Sequence, residues 1–151
     1  MADVKPIPDG YHSVTPYLIC DGAADAIEYY KKAFGATELF RMDHEGKVGH
    51  AELKIGDSPV MMGEPMGQFG PMPSSIYMYV ADCDAVYRRA VEAGGVSVME
   101  PTTMNFSGQR YGGIKDPAGN LWWVATHVED VAKEEMERRF AEWQNAKAAG
   151  Q

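Results

Sequence analysis

Thr15-Pro16-Tyr17-Leu18-Ile19-Cys20 is followed, sixty residues later, by a similar stretch, Ser75-Ile76-Tyr77-Met78-Tyr79-Val80. Each is a short run rich in apolar and aromatic residues with a tyrosine at its third position, which is typical of a β-strand. A strand that recurs at a fixed distance indicates two copies of one supersecondary unit. The segments on the C-terminal side of the two strands should therefore also be alike.

An alanine-rich acidic segment comes after each strand and has the spacing of a helix. In the first of these segments, residues 25–34, the apolar residues Ile27, Tyr30 and Phe34 recur on one face. Acidic residues lead this segment and lysines end it, as the helix dipole favours. The second segment, residues 84–91, has the same character, and we predict a helix in each half.

Three further strands are predicted after each helix. Their ranges are 37–42, 48–55 and 60–62 in the first half and 96–99, 111–115 and 121–126 in the second. Each half thus has the order β-α-β-β-β. We predict an α+β fold in a single domain, residues 1–151, with two tandem modules at about 11–64 and 75–127, joined by a glycine- and proline-rich linker over 65–74.

The C-terminal segment, about residues 130–147, is predicted to be an amphipathic helix. Its apolar stripe consists of Ala132, Met136, Phe140 and Trp143, and the opposite face is charged. Such a stripe has to pack on its own chain or on a second subunit. We expect a homodimer, with a monomer carrying a docked tail as the alternative.

Charge and composition exclude several classes of partner. The formal net charge is -8 and no basic stripe is present, so we expect no binding to nucleic acid. No apolar run is long enough to span a bilayer and no signal peptide is evident, so we expect no membrane and a cytoplasmic location. Cys20 and Cys83 have no metal-ligand spacing and are predicted to be buried reduced thiols.

Two β-α-β-β-β modules in tandem resemble the vicinal-oxygen-chelate superfamily, which includes glyoxalase I, extradiol dioxygenases and bleomycin-resistance proteins. The resemblance covers residues 11 to 128 and implies paired modules that form a cupped mixed sheet, a small-molecule ligand and a dimer. The local sequence resembles the PhnB-like branch at six segments: 16–18, 28–35, 50–53, 108–112, 116–122 and 125–131.

The resemblance also implies a divalent metal in the cup, held by His, Glu or Gln. The matching positions of this chain carry Thr15, Ser75 and Trp123, which are poor ligands for such an ion. We therefore predict no metal cofactor. The alternative is a rebuilt site, whose weak candidate ligands are His50, Glu52, Glu64 and His127.

Strand alternation predicts which side chains line the cup. Arg110 comes after a flexible loop and could pair with an anionic group of a ligand. The other predicted ligand-binding residues are Thr15, Tyr17, His50, Glu52, Ser75, Tyr77, Tyr79 and Trp123. Two alternatives remain open: the rings fill the cup as core, and His50 and Glu52 only satisfy each other by a hydrogen bond.

Three functions are compatible with this pattern. The first is a bleomycin-resistance-like protein that binds a small aromatic or apolar molecule without the usual catalytic metal. The second is a metal-dependent lyase or isomerase of the glyoxalase type that uses Glu52. The third is a metal-free enzyme in which Glu52 and His50, the candidate catalytic residues, act as acid and base.

Overall fold

The computed structural model describes residues 3–150 and contains the predicted repeat. The two modules and the C-terminal helix are confirmed as tandem β-α-β-β-β units followed by one helix. The elements are β1 (Tyr17–Ile19), α1 (Ala23–Phe34), β2 (Thr37–His44), β3 (Lys47–Ile55), β4 (Ser58–Gly63), β5 (Ser75–Tyr79), α2 (Cys83–Glu92), β6 (Val96–Met104), β7 (Gln109–Lys115), β8 (Leu121–His127) and α3 (Lys133–Ala148).

Each module forms its own four-stranded mixed sheet. The strand orders are β1-β4-β3-β2 and β5-β8-β7-β6. The first strand pairs with the last in parallel in both sheets, and the remaining pairs are antiparallel. The two sheets are therefore equivalent strand by strand, as the sequence repeat predicts.

The edge strand β6 extends well beyond the predicted range of 96–99. Pro101 lies inside it and favours an earlier end, because proline cannot donate a hydrogen bond to a neighbouring strand. Among the strands of residues 3–150, β6 pairs with β7 alone, and a register shift between Met99 and Thr102 accommodates the proline. An edge strand with an irregular register tolerates proline, so the strand continues to Met104.

Both sheets turn one side towards a shared core that contains the helices. Ile27 and Tyr30 of α1 are fully buried against the first sheet's Leu18 and Leu53 in this core. The ring of Tyr30 also lies 5.2 Å from that of Trp122 on β8, so α1 contacts the second sheet as well. We call the side of each sheet that points away from this core its open face.

The turn between β7 and β8 is built around a buried carboxylate. Asp116 Oδ1 accepts hydrogen bonds from the backbone N–H groups of Ala118 and Asn120, both at 2.9 Å. Its Oδ2 accepts from the indole nitrogen of Trp122 at 2.9 Å. The carboxylate is 4% exposed, and these donors offset the free energy of removing it from water.

The C-terminal helix packs on its own chain. Phe140 and Trp143 of α3 lie 5.1 and 5.3 Å from the ring of Phe106 in the turn after β6. Arg139 adds an ion pair with Glu129 at 2.9 Å. No α3 residue within the described range is buried, so this docking covers only part of the apolar stripe.

Cys20 and Cys83 are both free and buried, as predicted. Among the described residues, no helix combines the length and the apolar character that crossing a bilayer requires.

Candidate functional site

The open face of the first sheet carries an acid, an imidazole and several apolar groups. His50 and Glu52 lie on β3, while the side chains of Ala51 and Leu53 between and after them are buried in the core. The alternation of the strand therefore places His50 and Glu52 on the open face, as predicted. Their neighbours across the sheet are Met42, Phe40 and Met61.

Four side chains of this face form a continuous chain of hydrogen bonds. Glu52 Oε2 lies 2.9 Å from His50 Nε2, and His50 Nδ1 lies 3.1 Å from the hydroxyl of Tyr17 on β1. Tyr11, in the irregular segment before β1, donates its hydroxyl to Glu52 Oε1. The rings of Tyr17 and His50 are also stacked, with centroids 5.6 Å apart.

The hydrogen bonds on Glu52 keep this carboxyl ionised. The Tyr11 hydroxyl, followed by the His50 ring, lowers the pKa of Glu52 below its ordinary value. The same carboxylate raises the pKa of Tyr11 to about 12, because it stabilises the protonated phenol. Glu52 is thus a carboxylate whose two oxygens both accept hydrogen bonds from the protein.

The open face of the second sheet is a wall of aromatic rings. Tyr77 lies 5.3 Å from Tyr79 and 5.8 Å from Tyr111, and Tyr111 lies 5.8 Å from Trp123, measured between ring centroids. Trp123 lies directly over Gly113, where an added Cβ would be 2.7 Å from its ring. Burial is the main cause that raises the pKa of Tyr77 to about 12.

The sheet registers relate the two open faces residue by residue. Tyr17, Met61 and Glu52 form one row across the first sheet. The equivalent row of the second sheet consists of Tyr77, Trp123 and Gly113. The second module therefore has Gly113 where the first has Glu52, and the glycine leaves room for the indole of Trp123 to lie flat on the sheet. As a result, one face is polar and the other is aromatic.

Three aromatic residues of the two faces are exposed to solvent within one chain. Tyr17 and Tyr77 are 47% and 45% exposed, and Tyr79 is 62% exposed. These three rings therefore do not fill a core inside the chain, whereas Tyr111 and Trp123 are half-buried. Both sheets share one core on their other side, and no substantial contact joins the strands of one described sheet to those of the other, so neither open face covers the other within one chain.

The positions where the family would hold a metal do not form a ligand set. The indole nitrogen of Trp123 donates to the hydroxyl of Ser75 at 3.2 Å, and Thr15 lies half-buried just before β1. Throughout residues 3–150, no group of three or more His, Cys, Asp or Glu side chains could hold a metal ion. The residues present do not fit a divalent ion at this site.

Two of the weak candidate ligands have structural partners elsewhere, which corrects the rebuilt metal site. Glu64 accepts hydrogen bonds from the backbone N–H groups of Gly22 and Ala23, at 3.1 and 2.8 Å, and so caps α1. His127 contacts Gln109 at 2.9 Å and Asp130 at 2.6 Å. Neither contributes to the cluster around His50 and Glu52.

Arg110 does not line an open face, contrary to its predicted role. Its guanidinium forms a bidentate ion pair with Asp84 of α2, with both N–O distances at 2.8 Å. A Cβ on Gly112, two residues further along, would be 3.0 Å from Tyr87 of the same helix. Strand alternation therefore puts Arg110 on the helix side and its neighbour Tyr111 on the open face.

Sequence reasoning missed two residues of the site. Tyr111 lies at the start of a predicted strand, but alternation alone gives two opposite faces, and the pairing of β7 with β8 decides which of them is open. Tyr11 has no comparable signal, since it lies in a segment without periodicity and reaches Glu52 across 41 residues of sequence.

A groove of about 740 Å³ lies between α3 and the end of β6, but it is not the candidate site. None of the open-face residues lines it. Its arginines Arg138 and Arg139 are already paired with Glu135, at 2.6 and 2.8 Å, and the Lys147 ammonium lies 4.4 Å from the centroid of the Trp143 ring. The groove therefore lies apart from the hydrogen-bonded residues of the open faces.

Comparison with known proteins gives a family and a relative of similar length. A family model described as Glyoxalase/Bleomycin resistance protein/Dioxygenase superfamily matches residues 10–124. An uncharacterized protein of Mycobacterium bovis is 34% identical over 137 residues, which cover 83% of this chain and 90% of that protein.

Solved structures share the same fold. TioX from Micromonospora sp. ML1 has a TM-score of 0.68 at 23% identity, covering 78% of this chain and 99% of that one. The PhnB protein of Bacillus cereus has a TM-score of 0.59 at 22% identity, covering 76% and 99%. At these identities the likeness concerns the fold alone, so function has to be argued from the site.

Proposed function

This chain belongs to the Glyoxalase/Bleomycin resistance protein/Dioxygenase superfamily, and we propose that its open faces bind a small aromatic or apolar molecule without a catalytic metal. The hydrogen bond between Trp123 and Ser75 carries this proposal. It joins two positions at which the family places metal ligands, and it turns them into part of an aromatic wall. Such a wall with a few polar anchors is the usual composition of a small-molecule site.

The binding site requires a second copy of the chain. A ligand that lies on one open face of a single chain would have no opposing wall, because neither open face covers the other within that chain. A homodimer that sets the polar face of one copy against the aromatic face of the other would enclose the ligand between them. An isologous arrangement would create two such sites, each with Tyr17, His50 and Glu52 from one chain and Trp123 from the other.

The exposed area of the two faces supports this assembly. Phe40, Met42, Tyr77 and Tyr79 are each about half exposed or more, at 47%, 56%, 45% and 62%. Apolar patches of this kind on a monomer mark interfaces or ligand grooves. The compartment that we propose is the cytoplasm, where the two free thiols remain reduced.

The proposal is tested by ligand-induced thermal shift against a panel of aromatic antibiotics and aromatic metabolites. At least one member should stabilise the wild-type protein, and Trp123→Ala should abolish that shift while sedimentation reports the dimer. The matched control is Trp143→Ala, which removes an indole from α3 and should keep the shift. A panel without any stabilising member would contradict the proposal, as would an unchanged shift in Trp123→Ala.

A further inference from the structure

Each hydrogen bond of the polar open face can be assigned a donor and an acceptor. Glu52 is ionised and accepts from Tyr11 through one oxygen, so its second oxygen accepts the proton on His50 Nε2. When the imidazole is neutral, its one proton lies on Nε2, so its Nδ1 is an acceptor. The Tyr17 hydroxyl, 3.1 Å away, therefore donates its proton to Nδ1.

This direction fixes what Tyr17 offers to a ligand. Its proton is used within the protein, so the oxygen presents its free lone pairs to the space above the sheet. The side chain is 47% exposed there, with Phe40 and Met42 of β2 as apolar neighbours on the same face. A ligand group at this position has to donate a hydrogen bond.

Glu52 cannot serve as the group that meets the ligand. Both of its oxygens are occupied, by Tyr11 and by His50, and its side chain is only 22% exposed. Glu52 acts instead on the imidazole of His50. A carboxylate at 2.9 Å from Nε2 stabilises the imidazolium through a charge-assisted hydrogen bond.

We propose that Tyr17, His50 and Glu52 form a proton relay that binds a phenol or an enol and accepts its O–H proton. The inference rests on the proposed binding function and names the ligand class of that same site. A phenolic ring can lie against the aromatic face that Trp123 and Tyr111 contribute, while its hydroxyl donates to Tyr17. The two faces then recognise the two parts of one ligand.

The proton transfer balances without any further reactant. The ligand O–H bond breaks and its proton moves to the Tyr17 oxygen, while the Tyr17 proton moves to His50 Nδ1. The products are a ligand oxyanion, an intact Tyr17 phenol and an imidazolium paired with Glu52. No electron is transferred, and Tyr17 and His50 are the catalytic residues of this step, with Glu52 as the positioning residue.

The test uses 3-nitrophenol, whose neutral and ionised forms have different absorption bands. Its pKa is high enough that, one unit below it, an ordinary imidazole is still largely neutral, while about a tenth of the free probe is ionised. Bound to the wild-type dimer at that pH, more than about half should show the phenolate band. 3-Nitroanisole has the same ring system without the acidic proton and should bind about tenfold more weakly.

The variants separate proton transfer from folding and binding. His50→Gln keeps a donor for Glu52 and an acceptor for Tyr17 but cannot take a proton, and Tyr17→Phe keeps the ring. In both, the ionised fraction of bound probe should return to about a tenth. Tyr87→Phe, which removes a hydroxyl hydrogen-bonded to Ser97 away from this face, should behave like the wild type.

The outcomes distinguish this inference from the function on which it rests. A probe that binds the wild type in its neutral form overturns the relay and leaves the binding function standing. An ionised probe in His50→Gln overturns the relay as well. If neither nitro compound binds while another aromatic molecule stabilises the protein, the ligand class is wrong; if none stabilises it, both proposals fail.

Discussion

The hydroxyl of Tyr30 on α1 donates to Asp116 Oδ2 at 2.5 Å, and this bond joins the first module to the second. Both side chains are buried, and Asn120 donates to the same hydroxyl at 3.2 Å. Burial raises the pKa of Tyr30, with Asp116 as the second cause, so the protonated phenol that donates to Asp116 is favoured. The two open faces are held in their relative orientation partly by this contact.

Tyr30→Phe should lower the free energy of unfolding by about 1–3 kcal/mol, because a buried carboxylate loses a donor that no water can replace. Urea denaturation measures the loss. Tyr87→Phe is the matched control, since its hydroxyl bonds to Ser97 in a more exposed place and should cost less. Equal losses in the two variants would show that the Tyr30–Asp116 contact contributes nothing specific.

Gly108→Ala should destabilise the protein more than Gly67→Ala does. Both glycines have positive φ, at 71° and 57°, which costs an alanine about 1–2 kcal/mol. A Cβ on Gly108 would in addition lie 2.1 Å from the carbonyl oxygen of Glu129, whereas nothing lies within 4 Å of one on Gly67. Thermal unfolding measures the loss of melting temperature in each variant. An equal loss in the two would mean that the segment after β8 moves to make room for the added Cβ.

Tyr11→Phe should change how stability depends on pH. A carboxyl whose pKa is lowered in the folded state contributes stability above its ordinary pKa, and this contribution is lost as the pH falls through the folded value. The Tyr11 hydroxyl is the first cause of the lowered pKa of Glu52. The variant should therefore be less stable by about 1–2 kcal/mol at neutral pH, with a difference that shrinks below about pH 4.

Chemical unfolding at several pH values measures this difference. His44→Gln is a suitable control, because His44 lies on the exposed end of β2 and contacts neither Tyr11 nor Glu52. If the difference in unfolding free energy between Tyr11→Phe and the wild type stays constant from acid to neutral pH, the stabilisation by Tyr11 does not depend on the ionisation of Glu52.

The purified protein should hold no stoichiometric divalent metal, because the described residues offer only the His50–Glu52 pair as donors on the open faces. Elemental analysis together with titration of Mn²⁺, Ni²⁺ and Zn²⁺ checks this, and chelators should leave the melting temperature unchanged. Tight binding of one ion per site that Glu52→Gln abolishes would revive the metal-dependent lyase.

The repeat and the strand periodicity make most of the fold predictable from the sequence. Both modules arise from local patterns that recur, and alternation along β3 correctly places His50 and Glu52 on one face, where they lie at hydrogen-bond distance. These features depend on residues near one another in sequence, or on a symmetry that the sequence itself contains.

The remaining features depend on contacts that no local pattern encodes. Because Arg110 follows a loop, the sequence predicts that its side chain lies on the open face. The register between β7 and β8 instead places it on the helix side, where it pairs with Asp84. Glu64 resembles a ligand in the sequence because its partners, the free N–H groups at the start of α1, lie 42 residues away. The contact between Tyr11 and Glu52 depends on the path of an irregular segment, which no periodicity in the sequence predicts.

If each site combines the polar face of one chain with the aromatic face of another, two inactive variants should complement each other in a mixed dimer. Tyr17→Ala disables the polar face and Trp123→Ala the aromatic face, so neither homodimer should bind an aromatic ligand that stabilises the wild type. A mixed dimer should regain binding at half the wild-type stoichiometry, because one of its two sites has both faces intact. No recovery in a mixed dimer that has formed would rule out a site shared between two chains.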